Sequence, residues 1–571
     1  MAEEHKQTPP PRPISAHGAI GNLATMALVA LDGAIDFLCW PNFDSPSIFA
    51  ALLDSDHGGH FTLAPQIEDA RVIQSYVPDT NVLLTHWLGE DAAVEITDLM
   101  SGPEELGHGA PRLLRRVRVT RGTVRIALDC QPRFDYARQV PQVSIKDGQA
   151  VFTAPGAPAI RLSAPIEFTE HEGGVRASFE LHAGQSMDIV LDEDGDAQLD
   201  QQGLDELVHD VVKRWQDWAR RSTYKGRWRG AVTRSALVLK LMTSYRNGSI
   251  VAAATFSLPE VLGGERNWDY RATWIRDASF TVYALIRLGY TDEAKAFTRW
   301  TSERARHGDP DGQLRIMYAL DGSPAMEESE LEHMRGYADS RPVRIGNGAA
   351  TQLQLDIFGA LLDSIYLSNK YGEAISHADW VGVTRVVDFV CANWQRADAG
   401  IWEGREEPKQ HLHSRLMCWV AVDRAIRLAG KRSLTAPFER WIAARNAISE
   451  DIWGNFWNED LGHFVRSKGS TELDGAMLMM PLVRFVGSTD PAWLATLDAI
   501  GRELSDDVLV LRYDRDDGLA GEEGSFAACA FWYVECLARA GRIDHARTNM
   551  EKLLAYGNHV ELYAEEFTSK A

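Results

Sequence analysis

Cysteine is scarce in this chain of 571 residues: there are six, scattered at Cys39, Cys130, Cys391, Cys418, Cys529 and Cys536. They form no metal-ligand spacing and no disulfide framework, which fits a reducing compartment. Basic blocks are missing as well. A formal net charge of −22 with nothing to offset it excludes nucleic acid and anionic membrane as partners. No uninterrupted apolar run is long enough to cross a bilayer. Met1 to Pro13 lacks a basic region followed by an apolar core, so it reads as a loose tail and not a secretory signal. The expected location is cytoplasmic. No cofactor and no metal site is expected, while oligomeric state and any dependence of activity on phosphate or metal stay open.

What is present divides into two regimes. The length alone leads to an expectation of two domains. From His17 to about Leu191 short β-rich runs follow one another without helices between them, punctuated by turn formers such as Asp147-Gly148 and Gly173-Gly174. Asp32-Gly33 between two such runs is a hairpin signal, because a tight turn needs positive φ angles. This pattern predicts a β-sandwich. Its loop Cys39-Trp40-Pro41-Asn42-Phe43-Asp44 is a candidate to line a pocket. The acidic segment Asp192 to Asp200 marks a boundary, and Leu204 to Arg221 has the apolar spacing of an amphipathic helix.

Beyond it, helices apolar all round alternate with helices apolar on one stripe. The first kind begins near Ala278, Ala350, His413, Gly475 and Ser525, the second near Thr233, Asp292, Ala378, Pro437, Pro491 and Asp544. Helices buried on all sides inside a ring of striped ones predict an (α/α) barrel of six hairpins. Eleven of its twelve helices are counted, the last inner one being absent before Ala571. The expected division is a tail over 1–16, the sandwich over 17–200, a linker helix over 201–230 and the barrel over 231–571.

One stretch concentrates chemistry. Glu265 to Asp277 contains Trp268, Tyr270 and Trp274 beside the pair Arg276-Asp277, and runs into the apolar segment Phe280 to Leu288, which reads as a helix buried on every side. Aromatic faces with convergent charged groups suit a flat polar ligand such as a sugar ring. An ordinary ion pair at a helix start is the plainer alternative. Three more acidic features fall in loops at the same end of the expected barrel. They are Gly400-Ile401-Trp402-Glu403-Gly404, Gly521-Glu522-Glu523-Gly524 and Leu562-Tyr563-Ala564-Glu565-Glu566. Carboxylates facing each other across a tryptophan-lined cleft are what glycoside hydrolysis requires. No Asp-rich helical motif stands at these mouths, which leaves terpene-type cyclases, another helical toroid, without support.

The run Trp268 to Asp277 resembles the signature of glycoside hydrolase family 15, the glucoamylase family. Gly400 to Glu403 and Leu562 to Glu565 resemble its two catalytic-carboxylate motifs. The hairpin with Phe37 to Pro41 and Asp44-Ser45-Pro46 is similar to the trehalase-like N-terminal domain of bacterial members. The resemblance implies an inverting exo-acting α-glucosidase on a small carbohydrate, of trehalase or glucoamylase type. In it Glu403 is the general acid and Glu565 the base that activates water, their carboxyls roughly 6.5–9.5 Å apart. It also implies that Tyr270, Trp274, Arg276, Asp277 and Trp402 surround the terminal glucose. Glu523 competes with Glu565 for the base role; with Glu565 as base, Glu522 or Glu523 contacts the second sugar. The chain ends soon after Glu565, so a truncated or impaired member is also an expectation, as is a non-catalytic sugar-binding one. An inverting phosphorylase, in which phosphate replaces the base, is the rival enzyme.

Overall fold

The computed structural model describes residues 11–102, 111–195, 198–307, 311–324, 326–371, 374–404, 407–514 and 524–567. The first part of the chain is sheet-rich. One eight-stranded antiparallel sheet runs in the order His17–Gly21, Met26–Ala30, Ala34–Cys39, His60–Pro65, Thr123–Gln131, Gly174–His182, Thr169–His171, with Ser47–Phe49 paired to Ala34–Cys39. The other, also eight-stranded, runs Gln142–Lys146, Gln149–Thr153, Ile160–Ser163, Ser186–Glu193, Arg112–Arg121, Ala93–Ser101, Leu83–Leu88, Arg71–Tyr76. Val29, Leu38 and Phe61 from the first share one apolar core with Leu83, Ile96 and Val117 from the second. The hairpin at Asp32-Gly33 forms, with Gly33 alone at positive φ, +84°. A Cβ at Gly33 would meet the Leu63 carbonyl oxygen at 2.3 Å. Asp32 serves differently, accepting a hydrogen bond from the Ala34 amide at 3.2 Å. Sequence periodicity misses the edge strand Arg71–Tyr76, whose most buried residue is the polar Gln74, hydrogen-bonded to the Val29 carbonyl and to Thr85.

The rest is helical. Helix α1 (Gln201–Ala219) starts three residues before the apolar pattern does, because Asp200 caps it by accepting from the Gly203 amide at 2.8 Å. Then come α2 (Arg229–Leu241), α3 (Ile275–Leu288), α4 (Thr291–His307), α5 (Ile357–Tyr371), α6 (His377–Asn393), α7 (Leu412–Arg432) and α8 (Phe438–Phe456). A 3-10 turn (Gly475–Leu478) leads into the short α9 (Met479–Leu482), followed by α10 (Pro491–Glu503), α11 (Ala527–Arg539) and α12 (Ile543–Leu554). Helices α3, α5, α7, the 3-10 turn and α11 pack in series, and α2, α4, α6, α8 and α12 lie against them. Helix α7 is buried on most of its faces. None of the described helices is long and apolar enough to cross a membrane.

Helix α3 departs from expectation. It is not buried on every side: Tyr283 and Arg287, one turn apart, are exposed, while Val282, Leu285 and Ile286 are buried. The apolar letters of Phe280 to Leu288 carry no record of which neighbour covers each face. Among the described residues, α4 and α5 cover only part of this one.

Arg271 joins the two halves of the molecule. Its guanidinium pairs with Asp269 at 2.7 Å, donates to the Ser45 carbonyl at 2.9 Å and to the Tyr136 hydroxyl at 3.1 Å, and stacks over Phe256. Arg271 also donates to Cys39 Sγ at 3.4 Å and to the Phe43 carbonyl at 3.5 Å, so the loop from Cys39 to Asp44 forms part of the socket for a buried ion pair. Losing one partner of such a pair costs about 3–5 kcal/mol, so Arg271 belongs to the frame that aims its neighbours.

Candidate active site

A cavity of about 650 Å³ opens where the helical part meets the first sheet. Part of its lining is polar and aromatic: Tyr270, Trp274, Arg276, Asp277, Trp402, Glu403 and Glu565. The lining also has an apolar part, with Met26 and Leu28 of the sheet and Val238, Met242, Phe280 and Trp532 of the helices. None of Cys39 to Asp44 lines this cavity; Trp40 and Pro41 line a separate cleft in the sheet-rich part.

The signature residues arrive through a two-residue strand, Thr273–Trp274, paired with Met317–Tyr318. The chain turns directly from it into α3, so Trp274 ends the strand and Arg276 and Asp277 occupy the first helical turn, where a negative charge is favoured. Tyr270 leans on Trp274 with ring centroids 5.9 Å apart. Trp274 is almost fully buried, and its indole N–H donates to Glu403 Oε1 at 2.7 Å. Arg276 reaches the same oxygen at 3.5 Å, pairs with Asp277 at 3.1 Å and donates to the Ile401 carbonyl at 2.7 Å. Burial alone would depress the Arg276 pKa, yet the charges of Asp277, Glu403 and Asp356 hold it above the ordinary arginine value.

Glu403 ends a tight loop begun by Gly400, and itself adopts φ +57°, a left-handed conformation rare outside glycine. Strain of about 1–3 kcal/mol is typical of such residues, and they cluster at functional sites. Gln352 braces the loop by donating to the Glu403 carbonyl at 3.3 Å. Trp402 points away from Glu403, donating its N–H to Asp474 at 2.9 Å and resting its ring against Phe526. Burial raises the Glu403 pKa above the usual carboxylate range, Asp277 adds to the rise, and Arg276, Trp274 and Gln354 oppose it.

Glu565 comes from the far end of the chain. Glu566–Phe567 pairs with Ser525–Phe526, and the Ala527 amide donates to the Glu565 carbonyl at 2.9 Å, which fixes this segment to the start of α11. Glu565 keeps an exposed surface, and it lies on the cavity wall. Enclosure by that wall pushes its carboxyl up to about 7, helped by Glu260 and Asp277 and opposed by Arg512 and Arg276. Glu522 and Glu523 lie outside the described residues.

Several contributors escape a sequence reading. Glu260, Arg466 and Arg512 line the cavity from loops with no recognisable pattern. Asp356 lies fully buried below Arg276, and neither of its carboxyl oxygens has a hydrogen-bond partner among the described residues. Burial pushes it up to about 7, against the charge of Arg276 and with that of Asp398. The unfolded value is about 3.9, so the native state holds an extra proton between about pH 4 and pH 7. Stability associated with that proton is present at low pH and lost as pH rises through the window. Asp356→Asn cannot lose it, so its thermal midpoint relative to wild type should climb by a few degrees from pH 4.5 to pH 8. A gap that stays constant with pH would show that Asp356 is ionised throughout. Among the described residues no cluster of three metal-ligating side chains forms.

The profile "Trehalase-like, N-terminal" matches residues 7–210 and that of "Glycosyl hydrolases family 15" matches residues 226–571. Trehalase of Thermoplasma volcanium is 35% identical over 572 residues, covering 98% of this chain and 90% of the relative. Trehalase of Mycolicibacterium smegmatis is 35% identical over 585 residues, covering 97% and 87%. A bacterial glucoamylase solved with acarbose superposes with a TM-score of 0.72 over 98% of this chain and 90% of its own, at 13% identity, a likeness of fold. An aromatic cavity with acidic walls, under a sheet-rich domain and a helical one, thus accompanies a sequence match over most of the chain: the protein belongs to glycosyl hydrolases family 15 and is a glycoside hydrolase.

Proposed function

We propose that this protein is an inverting, exo-acting α-glucosidase that removes terminal α-linked glucose, with trehalose as first candidate over other α-gluco-oligosaccharides. One observation carries the reading: Glu403 and Glu565, brought from the middle and the end of the helical part, line a single cavity with Arg276, Asp277 and the aromatic wall. Glu403 acts as the acid that protonates the departing glycosidic oxygen, and Glu565 as the base that takes a proton from water attacking the anomeric carbon. Arg276 and Asp277 bind the hydroxyls of the terminal glucose, while Tyr270, Trp274 and Trp402 wall its ring. Glu565 is preferred to Glu523 as base because it lies on the cavity with a raised pKa suited to work near neutral pH. The names of the relatives favour trehalose. The helical part is read as an (α/α) barrel, with inner helices α3, α5, α7, α9 and α11, over 231–571. The linker helix takes 201–230 and the sandwich 17–200, in a cytoplasmic protein.

The test is hydrolysis of a panel of α-glucosides followed by proton NMR before mutarotation. Inversion releases the attacked glucose as the β-anomer, so trehalose should yield one β- and one α-glucose. Initial release of α-glucose alone would exclude inversion. Binding of glucosides without turnover would exclude the enzyme reading.

A further inference from the structure

We propose that Arg512 is a positioning residue that locks the Glu403 loop and the Glu565 segment to one another across the cavity, an inference resting on the assignment of those two carboxylates as acid and base. Arg512 touches neither carboxylate's loop by sequence. Its side chain is largely buried, and Nη2 lies 2.9 Å from Glu566 Oε1 and 3.2 Å from Glu260 Oε2. Glu566 is the residue next to the proposed base, and its own side chain is buried. The same guanidinium lies 5.7 Å from the ring centre of Trp402, the residue next to the proposed acid, and 5.5 Å from that of Phe526.

The backbone completes the tie. The Arg512 carbonyl accepts from the Gly475 amide at 2.8 Å, and the adjoining Asp474 holds the Trp402 indole N–H at 2.9 Å. A single residue therefore grips the neighbour of one carboxylate through a buried ion pair that its Nη2 shares with Glu260, and the neighbour of the other through a ring face and a shared anchor. A planar guanidinium does both; a lysine ammonium supplies the charge without the flat face. The consequence for catalysis is geometric, because a misplacement of about 1 Å between reacting groups costs up to about 10²-fold in rate. There is an electrostatic consequence too. The groups facing Glu565 are Glu260, Asp277, Arg276, Arg512 and Tyr270, and Arg512 is one of the two cations that restrain the rise of its pKa.

Arg512→Met and Arg512→Lys separate these roles. Hydrogen exchange of peptides spanning 398–404 and 562–567 reads the tie without catalysis. In Arg512→Met both segments should exchange faster than in wild type, and a change in one alone, or in neither, overturns the proposal. In hydrolysis of an α-glucoside kcat should fall about 10- to 10²-fold with KM within about threefold. The acidic limb of the pH profile should move to higher pH in the Met variant and stay in place in the Lys variant, whose kcat is nevertheless reduced. Wild-type kcat in Arg512→Lys overturns the positioning role, and this variant also serves if Arg512→Met fails to fold. If wild type hydrolyses no α-glucoside the functional reading fails by itself, and the exchange result alone decides the tie.

Discussion

Glu403→Gln should lower kcat/KM on trehalose or maltose by about 10²- to 10⁴-fold, the usual value of a positioned proton donor. The substitution is nearly isosteric. Gln keeps an oxygen to accept from the Trp274 indole and from Arg276, so the loop at Gly400–Gly404 should stay closed. What disappears is the transferable proton. The loss should therefore depend on the leaving group. A sugar alkoxide needs protonation as its bond breaks, whereas 4-nitrophenolate or fluoride departs without help, so 4-nitrophenyl α-glucoside and α-glucosyl fluoride should recover most of the rate. Equal loss on all substrates would instead mark Glu403 as a residue that shapes the pocket. The pH dependence gives a second sign. In wild type the two limbs of the profile belong to the coupled pair. In Glu403→Gln only Glu565 remains to titrate, so residual activity on the activated substrates should rise with pH and level off above about 7.

How much of this site was visible in the sequence depends on how it is spaced along the chain. Tyr270, Trp274, Arg276 and Asp277 are near neighbours, so their shared placement follows from a two-residue strand running into a helix, and the letters suffice. Glu403 stands beside Trp402 and Glu565 two residues after Tyr563, and the resemblance to family motifs singled them out. The tie between them was not legible. Arg512 and Glu260 are 252 residues apart, and a lone arginine in an irregular loop looks like any surface cation. Asp356 was equally silent, because only the tertiary packing turns an ordinary helix-start acid into a buried, proton-holding one. The same reasoning applies to α3. Its apolar letters predicted burial, but burial is a property of neighbours, and Tyr283 and Arg287 lack them on one face among the described residues. In the sheet-rich part Ser47–Phe49, Gln142–Lys146 and Thr169–His171 were missed, as was Arg71–Tyr76, where Gln74 stands in for an apolar residue through hydrogen bonds.

Glu565→Gln should match or exceed the loss at Glu403, again about 10²- to 10⁴-fold, but with a different dependence on substrate. Water must lose a proton whatever leaves from the other side of the ring, so fluoride and nitrophenolate leaving groups should bring no recovery. The pH profile should change in the opposite sense. Wild type needs Glu565 ionised, and with a pKa of about 7 its active fraction falls roughly tenfold for each unit of acidification below that value. Removing the carboxylate removes this requirement, leaving only the need for Glu403 to be protonated. Residual activity should then fall as pH rises, the mirror image of Glu403→Gln. The cause lies in the wall: its enclosure of the carboxyl and the charge of Glu260 raise the Glu565 pKa, and Arg512 and Arg276 hold that rise in check. Glu260→Gln in the wild-type background should therefore shift the Glu565-dependent limb to lower pH without abolishing turnover. The result also separates hydrolysis from phosphorolysis. An inverting phosphorylase uses phosphate as its nucleophile and needs no base, so full activity of Glu565→Gln in phosphate buffer, with glucose 1-phosphate as product, would replace the hydrolytic assignment. Loss of both products would identify Glu565 as the residue on which attack by water depends.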